Sequence, residues 1–168
     1  MSNAYPWYGL VEDQSLEQGD FLLDCPLIRP TAEDTVARNR GQVIVLSQSC
    51  DLANDKLEIL QVCPVFPLER LAAQADFFRS KRGREELRRG SLPGYHLLNR
   101  CELPGHELDF QVCDFRTLFG VHVSVAKALA AEQSPRLRIL PPYREHLAQA
   151  FARFFMRVGL PVDVPPFA

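Results

Sequence analysis

Several large classes of protein are excluded by what this chain lacks. Its uninterrupted apolar runs, such as residues 43–46, are only a few residues long, whereas a membrane-spanning helix needs about 20. The first ten residues include Pro6, Trp7 and Tyr8 but no basic start followed by an apolar stretch, which is not the pattern of a secretory signal. The five cysteines, Cys25, Cys50, Cys63, Cys101 and Cys113, are odd in number and form no Cys-x-x-Cys pair, so neither a disulfide framework nor a zinc ribbon is expected. Internal repeats and low-complexity stretches are missing too. These absences lead to the expectation of a cytoplasmic protein with reduced thiols, no membrane segment and no cofactor.

What is present is ordinary globular composition: 168 residues, 46% hydrophobic and 24% charged, which suits one domain with a buried core. The formal net charge is only -2, but residues 1–60 carry ten acids and four bases and residues 61–168 carry eleven acids and fifteen bases. Such asymmetry permits a face for nucleic acid or an acidic partner without requiring one.

Residues 19–28 read as a strand opened by Gly19-Asp20, with a bulge or an end at Pro26. Residues 29–41 show neither helical nor strand periodicity and contain Pro30 and Gly41, so an exposed loop is expected. Residues 42–47 form a continuous β-branched run of the kind that fills a central strand. Residues 57–65 supply its expected partner, across a polar tip at residues 47–52 and a turn. Helical spacing returns over residues 68–89, which predict two short helices interrupted at Gly83. Short strands are expected at residues 95–98 and 108–115, with extended chain to residue 124. Pro141-Pro142 opens a C-terminal helix with an apolar stripe of Leu147, Phe151, Phe154, Phe155 and Val158, stopped by Gly159 and Pro161. The fold class that results is α+β.

Two segments attract functional attention. In the polar tip, Ser47, Gln48, Ser49, Cys50 and Asp51 gather hydroxyls, an amide, a thiol and a carboxylate at the end of a rigid strand. A Cys50 nucleophile needs a base such as His96 or His122. The alternative is a small buried thiol, with Asp51 or Ser49 capping the following turn. The second segment holds Arg79, Lys81, Arg82, Arg84, Arg88 and Arg89 just after Phe77 and Phe78. It reads either as a surface for nucleic-acid phosphates or as a solvated helix face with Glu85 and Glu86 paired to nearby arginines. Cys101, His106 and Cys113, with Cys63 or Cys50 as a fourth ligand, lack the tight spacing of structural zinc sites. His146 reads as an ordinary boundary histidine.

In chain order, the Gly19-Asp20 strand, the basic-ended loop entering Val43-Ile44-Val45-Leu46-Ser47, the strand ending Val62-Cys63-Pro64-Val65, and Val112-Cys113-Asp114-Phe115-Arg116-Thr117 ahead of a helical C-terminus resemble the MazF/PemK toxin endoribonucleases. The resemblance covers residues 18–67 and 108–160. It implies a small SH3-like barrel with residues 68–94 as a helical insertion, a bacterial toxin-antitoxin, defence or mobile-element setting, and a homodimer. That family's activity depends on an arginine just before the central strand and a hydroxyl residue after the Cys-Pro strand. Here Arg40 is displaced by one position and Phe66 occupies the second place. The chain is also similar to uncharacterised bacterial proteins with a Gln-Gly-Asp strand and a Ser-Gln-x-Cys-Asp-Leu signature, matched by residues 18–20 and 47–52.

Two functions follow as expectations. One is a module that binds RNA, DNA or a partner protein without chemistry of its own. The other is an enzyme, either a divergent endoribonuclease in which Arg40 and Arg116 stabilise developing charge or a thiol enzyme using Cys50, with Asp51 or His96 as general base.

Overall fold

The computed structural model describes residues 5–156. At its centre lies a mainly antiparallel sheet of mixed α+β architecture, and the strand order explains why the central sequence is so apolar. Strand β2 (Phe21–Pro30) pairs with β3 (Val36–Val45), which pairs with β4 (Ile59–Pro67). The far half of β4 pairs with β6 (Gln111–Asp114), which pairs with β5 (Tyr95–Leu98), while its near half pairs with β7 (Phe119–His122). A separate two-stranded sheet joins β1 (Tyr8–Val11) to β8 (Arg136–Ile139). Among the described residues these pairings do not close into a ring.

The run at residues 43–46 is apolar throughout because it is buried on both faces. Side chains alternate across a strand, so Val43 and Val45 enter one core with Leu22, Leu60, Val62 and Val121, capped by Ala126 and Ala130 of α4 (Val123–Glu132). Ile44 and Leu46 enter the other, with Cys63, Cys113, Phe115 and Ile139. The second core is covered by α5 (Tyr143–Phe155), whose Leu147 is fully buried and whose Phe151 and Phe154 lie against Phe115. The expected aromatic stripe therefore packs as anticipated except at Phe155, which is 62% exposed. Val158, Gly159 and Pro161 lie outside the described residues.

Residues 29–41 are not a loop. Val36 to Gly41 ladder against Cys25 to Pro30 in a long hairpin, and the turn is confined to residues 31–35. This arm is largely exposed, so it has no buried face to impose alternation and its strand character is invisible to pattern. The bulge sits at Leu23 and Asp24, which together oppose Gln42, with Asp24 at φ 49°; Pro26 is within the ladder opposite Arg40.

Residues 68–88 form α2 (Leu68–Gln74), a 3-10 turn (Asp76–Arg79) and α3 (Lys81–Arg88). Leu68, Leu71, Phe78 and Leu87 pack on Val112 of β6, forming a third core beside the sheet. Gly83 does not interrupt this helix. It allows it, because a Cβ there would overlap the Phe77 carbonyl. The polar tip is itself helical, α1 (Ser49–Ala53). Among the described residues no helix is long and apolar enough to cross a membrane.

Candidate functional site

The two signature segments, residues 18–20 and 47–52, meet in space, and their polar groups are largely spent on the fold. The Gln18 amide donates to the Leu46 carbonyl at 2.7 Å, and the Gln18 N–H donates to Ser49 Oγ at 3.1 Å. Ser47 Oγ accepts from the Gln61 N–H at 2.8 Å. Gly19, at φ 90°, passes close to Ile139 and donates its N–H to the Val45 carbonyl. Asp20 is fully buried beneath them. Its carboxylate accepts from Arg136 Nε at 3.1 Å, from Arg138 Nε and Nη2, and from the Glu17 N–H. Glu17 extends the network to Arg138 at 2.7 Å and Arg144 at 2.8 Å. The half-buried hydroxyls at this strand end thus hold backbone donors.

Cys50 departs from the expectation of a small buried thiol. It is exposed, unlike Cys25, Cys63, Cys101 and Cys113, so it is not a small core thiol. It stands between two clefts. One, of about 330 Å³, is lined by Gln18, Gln48, Arg144 and Glu145, and the other, of about 720 Å³, by Glu17, Asp55 and Lys127. Neither cleft is lined by a histidine, Arg40 or Arg116. Neither Ser49 nor Asp51 caps α1. Gln48 is the N-cap without a side-chain bond, and Asp51 faces Lys56 at 3.7 Å. His122, one proposed base, instead caps α4 by accepting the Ser124 N–H.

The remaining candidates are held apart in the same way. Arg40 pairs with Asp24 at 2.8 Å on the exposed hairpin. Arg116 makes two 2.8 Å bonds to Asp114 and lies over the Tyr95 ring at 4.4 Å. Phe66 packs into the third core with Arg70 over its ring. The four proposed zinc ligands do not assemble: no group of three or more His, Cys, Asp or Glu suited to a metal occurs among the described residues. The pKa of the free Cys113 thiol is raised well above its usual range by burial and then by its hydrogen bond with the Cys63 thiol.

The basic segment is different. Ser80 caps α3 by accepting the Gly83 N–H at 3.0 Å, and buried Phe78 and Leu87 anchor the helix, leaving its bases outward. Pairing is partial. Arg88 and Arg89 share Glu85, at 2.8 and 2.6 Å, and these bonds hold its carboxyl down to about 2. Arg84 meets Glu69 and Arg79 meets Asp76. Glu86 takes none of the expected arginines, and Lys81 and Arg82 have no acidic partner among the described residues. The solvated-face reading is therefore right for part of the helix and leaves free cations on the rest.

Concave surfaces flank this helix. A cleft of about 1050 Å³ is lined by Arg79, Lys81, Arg82 and Arg84, with Leu97 and Phe110 as apolar lining and Arg100 over the Phe110 ring at 4.6 Å. A second, of about 630 Å³, lies between α3, β5 and α5 and shares Arg88 and Arg89 with the first. It adds His96, His146 and Arg153, and among the described residues no carboxylate lines it. His96 Nε2 is sealed from solvent with no hydrogen-bond partner among the described residues. Burial, then His146 and Arg153, push its pKa down to about 4. Sequence reasoning missed this cleft. Part of it was visible as helical spacing, since His146, Gln149 and Arg153 recur at three and four residues along α5.

No protein-family model, curated protein or solved structure matches the chain.

Proposed function

We propose that the chain is a nucleic-acid-binding module that acts without chemistry of its own, holding a single strand of RNA or DNA along α3. The observation that carries this is the pair Lys81 and Arg82, cations without acidic partners among the described residues, beside a cleft whose apolar lining includes Leu97 and Phe110. Phosphates are held by such cations and bases stack on such surfaces, and the combination tolerates any sequence. The overall charge of -2 makes the face a local feature rather than a property of the whole chain. A role without catalysis is supported by the lack of any histidine in the clefts beside Cys50 and by the carboxylates already on Arg40 and Arg116. It also accords with Phe66 standing where the MazF/PemK resemblance calls for a hydroxyl. The barrel ancestry, the toxin-antitoxin, defence or mobile-element setting and the homodimer belong to this same proposal.

The test is fluorescence anisotropy with labelled single-stranded RNA, single-stranded DNA and a duplex, comparing the wild type with Lys81→Ala/Arg82→Ala. Binding of a single strand that weakens in the double variant is expected. Absence of binding at about 50 mM salt, or identical affinities for the two proteins, overturns the reading.

A further inference from the structure

The cleft between α3, β5 and α5 differs from the larger one beside it in having, among the described residues, no acid in its lining. Arg88 and Arg89 enter from α3, Arg153 and His146 from α5, and His96 from β5. Glu85, which serves both α3 arginines, lines only the other cleft, so one carboxylate is divided between two guanidiniums. The site's field is positive.

His96 supplies an independent sign that something belongs there. A polar nitrogen shut away from water is ordinarily paired, yet its Nε2 has no partner among the described residues while its ring lies nearly parallel to Phe115. The neutral ring, held so by burial and by the nearby cations, retains one N–H and offers a hydrogen bond rather than a charge. One neutral donor in an arginine-rested site of about 630 Å³ suits an oxyanion with several acceptor oxygens.

An internal phosphodiester carries one negative charge and continues in both directions, whereas a terminal phosphate carries about -1.5 to -2 near neutral pH and three acceptor oxygens. Arg88 and Arg89 border both clefts, so a strand lying along α3 meets this pocket at one end. We infer that the cleft between α3, β5 and α5 receives a terminal phosphate monoester, the phosphorylated end of the strand bound along α3. The inference rests on the nucleic-acid reading above. A free mononucleotide presents the same chemistry.

Four probes separate these sources: one labelled oligonucleotide with a 5′-phosphate, a 3′-phosphate or hydroxyl ends, and adenosine monophosphate. Affinity is measured for the wild type, for Arg153→Gln and for Lys81→Ala/Arg82→Ala, while the His96 ring nitrogens are followed by NMR. Arg153 is exposed, so its replacement leaves the fold intact. One phosphorylated end is expected to bind about tenfold tighter than hydroxyl ends. Arg153→Gln should erase that ratio, Lys81→Ala/Arg82→Ala should weaken all strands alike, and the His96 Nε2 signal should shift only with phosphorylated probes. Equal affinity for all three strands overturns the end-site and leaves strand binding standing. Adenosine monophosphate shifting His96 with no strand bound overturns both the strand-end assignment and the strand reading, and leaves a nucleotide pocket. No binding and no shift with any probe overturns both proposals.

Discussion

Replacing Asp20 with alanine removes the carboxylate on which the two arginines of β8 converge. Arg136 and Arg138 have side chains only 1% and 9% exposed, and Asp20 itself is 0% exposed. After the substitution Arg138 keeps Glu17 at 2.7 Å and Arg136 keeps backbone carbonyls and a 3.6 Å approach to Asp13. Neither remnant replaces a buried counter-charge. Breaking one side of a buried ion pair costs about 3–5 kcal/mol, because the surviving charge stays desolvated. For a domain of this size each kcal/mol lowers Tm by about 2–4 °C, so Asp20→Ala should melt roughly 6–20 °C below wild type. Urea unfolding with an unchanged m-value checks the free energy. Arg40→Ala is the control: it breaks an exposed pair, with side chains 54% and 69% accessible, and should cost no more than about 1 kcal/mol. If the two variants lose equal stability, the buried network does not hold the β1–β8 sheet to the rest of the fold.

Other perturbations test separate parts of the account. Gly83→Ala forces a Cβ onto the Phe77 carbonyl, so it should destabilise by about 1–3 kcal/mol and weaken strand binding by displacing α3; unchanged thermal melting contradicts the packing described. His96 is a base whose folded pKa, about 4, lies below its unfolded value of about 6.5. Its neutral burial stabilises the fold fully above about pH 6.5, and that contribution is lost as pH falls toward about 4, at up to about 1.4 kcal/mol per pH unit. An NMR titration midpoint for His96 near 6.5, or a wild-type acid slope unchanged in His96→Phe, refutes this. Ellman's reagent should find one fast thiol in the native protein, absent from Cys50→Ala, while that variant binds nucleic acid as wild type does. Lost binding in Cys50→Ala returns the polar tip to the functional site.

Elements buried on two faces were the easiest to read. Residues 43–46 are apolar at every position because each of two cores takes alternate side chains, and residues 62–64, within the expected partner run 57–65, pair with residues 43–45 across the tip. The α5 stripe was legible for the same reason: one face meets a core. The exposed β2–β3 arm was illegible because nothing buries it. The extended chain expected to residue 124 ends at His122, where α4 begins, and residues 125–139 carry no pattern that the sequence makes legible. Helix α4 buries mainly alanines, and β8 alternates Leu137 and Ile139 with arginines that are also buried. Pattern alone assigns such arginines to solvent; Asp20 and Glu17, more than a hundred positions away, make their burial tolerable. Of the two readings of Cys50, the small buried thiol fails because α1 leaves the residue exposed, and no local pattern shows that. The six bases of residues 79–89 were read directly, but the cleft behind them depends on His96 and His146 coming together from β5 and α5, which no local spacing announces.

The central claim is that phosphates are held along α3, and salt dependence measures this most directly. For a single strand, log K falls against log salt with a slope of about -0.7 per phosphate neutralised. Removing Lys81 and Arg82 together should therefore make the slope shallower by about 1.4, with lower affinity at every salt concentration and little preference for sequence. A wild-type affinity indifferent to salt, or a slope that the double substitution leaves unchanged, contradicts the account.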